Sequence, residues 1–194
     1  MIAYQIMKMT LTEALYGSLA TVFHRSKTAD KSSFKVVIGH QRTGVAIFGG
    51  GFYTTYDVED QLKDRMIRNY GEYLFKIITK VEHFFVLDKS IRDKGLSKLT
   101  PKQREAITKI EEIVKDDDDF NKWHDDGFLI YVVNKYPAVD KLIRANFDGI
   151  IYTSKDDGKC ALIFNPSKTY TKVVAVAHVP DWNIDSRKIE WKKL

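Results

Sequence analysis

Gly149-Ile150-Ile151-Tyr152-Thr153-Ser154-Lys155-Asp156-Asp157-Gly158-Lys159-Cys160-Ala161-Leu162-Ile163-Phe164 is the stretch whose reading decides the fold. Two runs rich in β-branched and apolar residues, 149–152 and 160–164, flank a polar turn at 154–159 that ends in Gly-Lys. That pattern predicts a β-hairpin. A connection this short cannot make a parallel crossover, which needs about a dozen residues or more. A further strand is expected over 173–177. The C-terminal part therefore reads as antiparallel sheet.

Working back from the hairpin, residues 138–145 read as a helix that Pro137 must start, since proline is tolerated at a first turn and not inside one. Residues 128–133 also look helical. Thr100-Pro101-Lys102-Gln103 is a strong helix start, with Thr as cap, Pro at the first helical position and Gln at the reciprocal position. Ile107, Ile110, Ile113 and Val114 would line its inner face. The helix should stop near Asp116, because aspartates at a C-terminus oppose the macrodipole. Residues 73–86 suit a strand pair or one bent strand. Residues 57–70 read as one helix, with Val58, Leu62, Met66 and Ile67 on one face. Further upstream, strands are expected at 21–24 and 34–38. A helix over 10–20 would start on the Thr10/Glu13 capping box. The order is strands, helix, strands, a helical block over about 89–146, then strands. The fold class is α+β in a single domain spanning 1–194.

Composition narrows the function. Apolar residues make up 44 % and charged residues 29 % of the chain, which excludes wholesale disorder. The net charge of +5 is unevenly spread: residues 1–56 carry six basic and two acidic side chains, and 116–160 six and ten. A nucleic-acid partner is thus not indicated by charge alone. The single cysteine, Cys160, leaves no intramolecular disulfide and no thiolate zinc cage. The N-terminus does not read as a signal peptide, and no run approaches the roughly 18–20 apolar residues of a membrane span. A cytoplasmic protein is expected.

Three pieces carry the chemistry by their order. His24-Arg25-Ser26 ends the first strand. Phe48-Gly49-Gly50-Gly51-Phe52-Tyr53 follows about 25 residues on and leads into a helix. The third piece is the late hairpin, Phe147-Asp148-Gly149-Ile150-Ile151-Tyr152, with its return strand ending Phe164-Asn165-Pro166-Ser167. At these residues the chain resembles the ADP-ribosyltransferase superfamily, in its diphtheria-toxin and poly(ADP-ribose) polymerase branch. It is also similar to the related domains of phage-encoded multidomain proteins. The resemblance covers about 21–88 and 147–177. It implies a split, curved, mostly antiparallel β-structure with flanking helices, and makes 89–146 a helical insertion.

The same resemblance implies NAD as cofactor and mono-ADP-ribosylation of a macromolecular acceptor, protein first, as the activity. The alternative it allows is an inactive module of the same fold. His24 would hydrogen-bond a ribose hydroxyl and Ser26 would contact the adenosine side. Arg25 would offer its main chain to the carboxamide, and Tyr53 would stack on nicotinamide. The glycines ending at Gly51 would let the main chain pass close to the ligand. Cleaving the nicotinamide bond passes through an oxocarbenium-like sugar, so the site must stabilise positive charge. The catalytic glutamate position falls on Cys160, whose thiol is only a few per cent ionised at neutral pH. Asp156 and Asp157, in the turn beside it, are the substitutes at hand, whereas Glu72 suits an earlier strand. The rings of His24 and Tyr53 are expected on one cleft wall.

Each residue also has a plainer reading. His24 and Tyr53 can be structural core, Ser26 and Thr28 loop hydroxyls, and Cys160 a small buried hydrophobe. The Asp116–Asp119 run lacks the glycine and terminal glutamate of an EF-hand loop and reads as a solvated turn or cap. His83, His124 and His178 have no metal-ligand spacing.

Overall fold

The computed structural model describes residues 19–29, 51–117, 135–154, 156–164 and 169–194. The expected elements at 34–38 and 128–133, most of the 10–20 helix, and the tripeptide Phe48-Gly49-Gly50 lie outside these residues. Eight strands form one sheet: β1 (Leu19–Ser26), β2 (Phe52–Thr55), β3 (Tyr73–Lys80), β4 (Phe84–Val86), β5 (Gly149–Ser154), β6 (Gly158–Ile163), β7 (Thr171–His178) and β8 (Lys192–Lys193). Their order is β4-β5-β6-β2-β1-β3-β7-β8. Every neighbouring pair is antiparallel except β4–β5. The fold class is α+β.

The hairpin forms as its sequence requires. Tyr152 pairs with Cys160 and Ser154 with Gly158, and Gly158 takes the left-handed conformation (φ 71°) that closes the turn. The 73–86 stretch is not a strand pair. Its second half, β4, leaves β3 and pairs in parallel with β5 at the far edge, Phe84 against Gly149. The helical block between them is the crossover that a parallel pair needs.

Three helices are described in that block: α3 (Lys89–Gly95), α4 (Pro101–Ile113) and α5 (Pro137–Asn146). α4 opens on the full capping box, with Thr100 accepting from the Gln103 N–H and the Gln103 side chain accepting from the Thr100 N–H. Ala106, Ile107, Ile110 and Val114 from α4, with Val139 and Ile143 from α5, enter the main hydrophobic core beside Phe84, Phe85, Ile151 and Ile163. The block is part of the core. Ile113 departs from the expected inner face and is 39 % exposed. Asp117 corrects the solvated-turn reading: it is buried and accepts from Lys135 Nζ (2.8 Å) and Tyr136 Oη (2.6 Å).

The single helix expected over 57–70 is two, α1 (Val58–Gln61) and α2 (Asp64–Tyr70). Lys63 between them is extended (ψ 136°), yet Leu62 and Met66 are both still buried. The apolar spacing continues across the break, which is why the sequence hides it. Leu19 and Ala20, expected to end a helix, open β1 instead.

Candidate functional site at the divide of the sheet

The ladder between β1 and β3 runs through eight residue pairs, from Leu19–Lys80 to Ser26–Tyr73. Between β1 and β2 there is one pair, Phe23 with Thr55. The sheet is thus two four-stranded halves, β4-β5-β6-β2 and β1-β3-β7-β8, joined at a divide. Two of the three sequence pieces meet there, and the third, on β6, is the immediate neighbour of β2.

His24 sits at the divide. Its Nδ1 lies 2.8 Å from the Tyr53 main-chain oxygen, and its ring stands 4.3 Å from that of Phe52. A carbonyl only accepts, so Nδ1 carries the proton. Burial holds the imidazole pKa down at about 4, with the Tyr53 carbonyl opposing in part. His24 is therefore neutral at physiological pH, with Nε2 its acceptor nitrogen.

Tyr53 occupies the other face. It stands opposite Leu162 on β6, and Thr55 stands opposite Cys160, which in turn stands opposite Tyr152 on β5. Residues two apart on a strand share a face and successive residues alternate. Tyr53, Thr55, Cys160, Leu162 and Tyr152 thus share one face, whereas Phe52, and His24 against it, belong to the other. The expectation of one cleft wall for both rings is corrected: His24 meets Tyr53 through the main chain, not ring to ring.

Cys160 is buried, and its thiol donates to the Gly158 carbonyl at 3.5 Å. Tyr152 has its pKa pushed well up, first by burial and then by the neighbouring Cys160 and Tyr53. Tyr70 is also raised, by burial first and Asp157 next. Asp157 is paired with Arg65, and Arg65 also reaches Asp156 at 3.4 Å. The surroundings of Cys160 are two protonated phenols, a thiol and a carboxylate already committed to a guanidinium. Such a set donates hydrogen bonds, and among the described residues its one carboxylate is already engaged by Arg65. Tyr152, Tyr70 and Arg65 were not singled out from the sequence. Tyr152 reads there as one more strand residue, and Arg65 and Tyr70 as helix surface.

The other expected site residues have contacts of their own. Arg25 has its side chain anchored in the fold: Nε donates to the Gln61 carbonyl, and Nη1 to those of Gly71 (3.0 Å) and Val179 (3.1 Å). Ser26 accepts from the Thr28 N–H at 3.3 Å in a local turn. Gly51 does serve a close approach, but to Leu162: a Cβ there would lie 2.3 Å from Leu162 Cδ1. Glu72 precedes β3 and pairs with His178 at 3.0 Å. Among the described residues, no helix is long and apolar enough to cross a membrane. Comparison of the chain with protein-family models, curated proteins and solved structures finds no match.

Proposed function

We propose that this chain is an ADP-ribosyltransferase-like protein that binds NAD at the divide of its sheet and transfers ADP-ribose to a macromolecular acceptor, protein first. The observation that carries the reading is the adjacency of β1, β2 and β6, the strands on which the three motif pieces lie, about a sheet joined by one residue pair. A neutral His24 supports it, because Nε2 can accept from a ribose hydroxyl without titrating near neutral pH. The Tyr53 carbonyl, bonded to His24, borders the site while its ring lies on the opposite face, and Gly51 brings the start of β2 tight onto β6. Arg25 is left only its main chain for the carboxamide, since its guanidinium belongs to the fold.

The second reading is the same fold as a non-catalytic binding module. Burial of Cys160 at the position of the family's glutamate favours it: a thiol sealed under Tyr152 offers nothing to a developing oxocarbenium charge. NAD itself separates the cases. Millimolar NAD should raise the melting temperature of the natural protein, and His24→Ala should remove the increase. No increase would sink the NAD reading for enzyme and module alike. Where NAD binds, Cys160→Glu should raise slow NAD hydrolysis by roughly 10²–10³, the usual worth of one electrostatic group aimed at a transition state. Cys160→Ala should change nothing. Binding without any gain from the glutamate identifies the module.

A further inference from the structure

The half-sheet β1-β3-β7-β8 presents a face that α1 and α2 do not cover at its far end. Cross-strand pairing sets side chains there in rows. Phe23, Lys76, Ala175 and Lys193 form one row, Thr21, Ile78 and Lys172 the next, and Leu19 with Lys80 the last. Leu19, Thr21, Lys80, Lys172 and Lys193 are exposed, and Phe23, Lys76 and Ile78 half-buried. The alternate residues Ala20, Val22 and Ile77 are buried in the main core, so the rows look outward from it. At the edge of the face the Trp191 ring lies 6.0 Å from that of Phe23 and 5.9 Å from Lys76 Nζ.

Charge is one-sided here. None of the four strands contains an aspartate or glutamate. Lys80 is paired with Glu82 beyond the strand end, while Lys76, Lys172 and Lys193 have no carboxylate partner among the described residues. A sheet face carrying cations, short aliphatic groups and, at its edge, the half-buried rings of Phe23 and Trp191 set against the second hydrophobic cluster has the make-up of a platform on which bases stack while lysines track a phosphate backbone. We propose that this face binds single-stranded nucleic acid, with Lys76, Lys172 and Lys193 on the phosphates and Phe23 with Trp191 against the bases. The inference does not rest on the NAD reading, and neither result decides the other.

The test uses the full chain and fluorescein-labelled twelve-nucleotide oligo(dT) and oligo(U), with binding read by anisotropy from 50 to 200 mM salt. Three phosphate contacts at about 0.7 each predict a slope of log affinity on log salt near −2. The triple variant Lys76→Gln, Lys172→Gln, Lys193→Gln should flatten that slope and bind at least about tenfold more weakly at 50 mM. An abasic oligomer of the same length keeps the phosphates and lacks the bases. It should bind at least about tenfold more weakly than oligo(dT), since stacking of even one base is worth about that much. Absence of binding at 50 mM salt, or unaltered binding by the triple variant, overturns the proposal. Equal binding of the abasic oligomer also overturns it, and makes the face a general polyanion site suited to an acidic protein surface.

Discussion

Arg25→Met should lower stability by about 3 kcal/mol while leaving the site at the divide in place. The guanidinium is 2 % exposed and bonds three main-chain carbonyls from three places: Gln61 at the end of α1, Gly71 after α2, and Val179 after β7. Hydrogen bonds from a charged donor are worth about 1.5–3 kcal/mol each, so three of them stabilise by roughly 5–9 kcal/mol. Burial opposes this. It lowers the Arg25 pKa from 12.5 to about 10, a cost on the charged form of roughly 3 kcal/mol at 1.36 kcal/mol per unit. Nη2, without a partner among the described residues, trims the gain further. The bonds win by a few kcal/mol, and methionine restores the apolar contact without the donors.

For a chain of 194 residues, 1 kcal/mol moves the melting temperature by about 2–4 °C, so a drop near 10 °C is expected by calorimetry or circular dichroism. Arg25→Lys should fall at least as far, because a single ammonium cannot span three carbonyls in the plane of a guanidinium. A change under about 1 kcal/mol in both variants would refute the reasoning. The folded Arg25→Met protein should keep the thermal response to NAD at a temperature below its new midpoint. Loss of that response would return Arg25 to the ligand.

His24 gives a pH dependence with a defined window. The unfolded chain takes up its proton near pH 6.5 and the folded chain only near pH 4, so folding stability contributed by neutral His24 is full above pH 6.5 and is lost as pH falls toward 4. The loss amounts to about 3 kcal/mol; urea unfolding of the natural protein minus that of His24→Gln should trace it, and a flat difference would dismiss it. Gly149→Ala should cost about 3 kcal/mol by overpacking, because the new methyl would lie 2.4 Å from the Leu162 carbonyl oxygen and 2.6 Å from Phe84 Cε2. A denaturation midpoint within experimental error of the natural protein would show that β4 and β6 can part more easily than the parallel and antiparallel pairing at Gly149 implies.

Local chemistry was readable and long-range pairing was not. The 149–164 hairpin and the α4 cap each depend on residues a few positions apart, and both form as expected. β4 has only three residues, and its partner β5 lies across the whole helical block, so no local pattern announces a parallel pair. Strand parity fixes which β2 residues share a face with Tyr53 and which β6 residues share one with Cys160, but that the two faces coincide depends on the long-range register of β2 on β6. It could not have put His24 where it is. That position depends on the ladder between β1 and β2 failing after one pair, a property of two strands whose sequences are nearly 30 residues apart. The anchoring role of the Arg25 side chain is hidden from the sequence for a related reason: its three acceptors are main-chain carbonyls, which leave no signature in side-chain sequence.

What replaces the missing ladder bears directly on the proposed ligand site. On one face, His24 Nδ1–H to the Tyr53 carbonyl and the His24–Phe52 ring contact stitch β1 to β2. On the other, α1 and α2 act as a clamp. Lys63 Nζ donates to the Asp156 carbonyl (2.6 Å), and Arg65 holds Asp157, fixing the helices to the β5–β6 turn of one half. The Gln61 and Gly71 carbonyls hold Arg25 of the other half, while Gln61 Nε2 donates to Thr55 Oγ1 (3.1 Å). Among the described residues the halves are therefore joined chiefly by side chains and by helices on one face. A ligand entering between β1 and β2 would meet one ladder pair, the His24–Tyr53 hydrogen bond and the His24–Phe52 ring contact, where a continuous sheet would demand a longer run of backbone bonds. The same chain segment, Thr55 to Gly71, that links β2 to β3 also sets the spacing between them. If His24 and the β2 main chain hold NAD without the clamp, an Arg65→Ala protein, less stable for the lost pair with Asp157, should keep the natural protein's stabilisation by NAD. That stabilisation is set by ligand concentration over Kd. A lost response would place the clamp in the site.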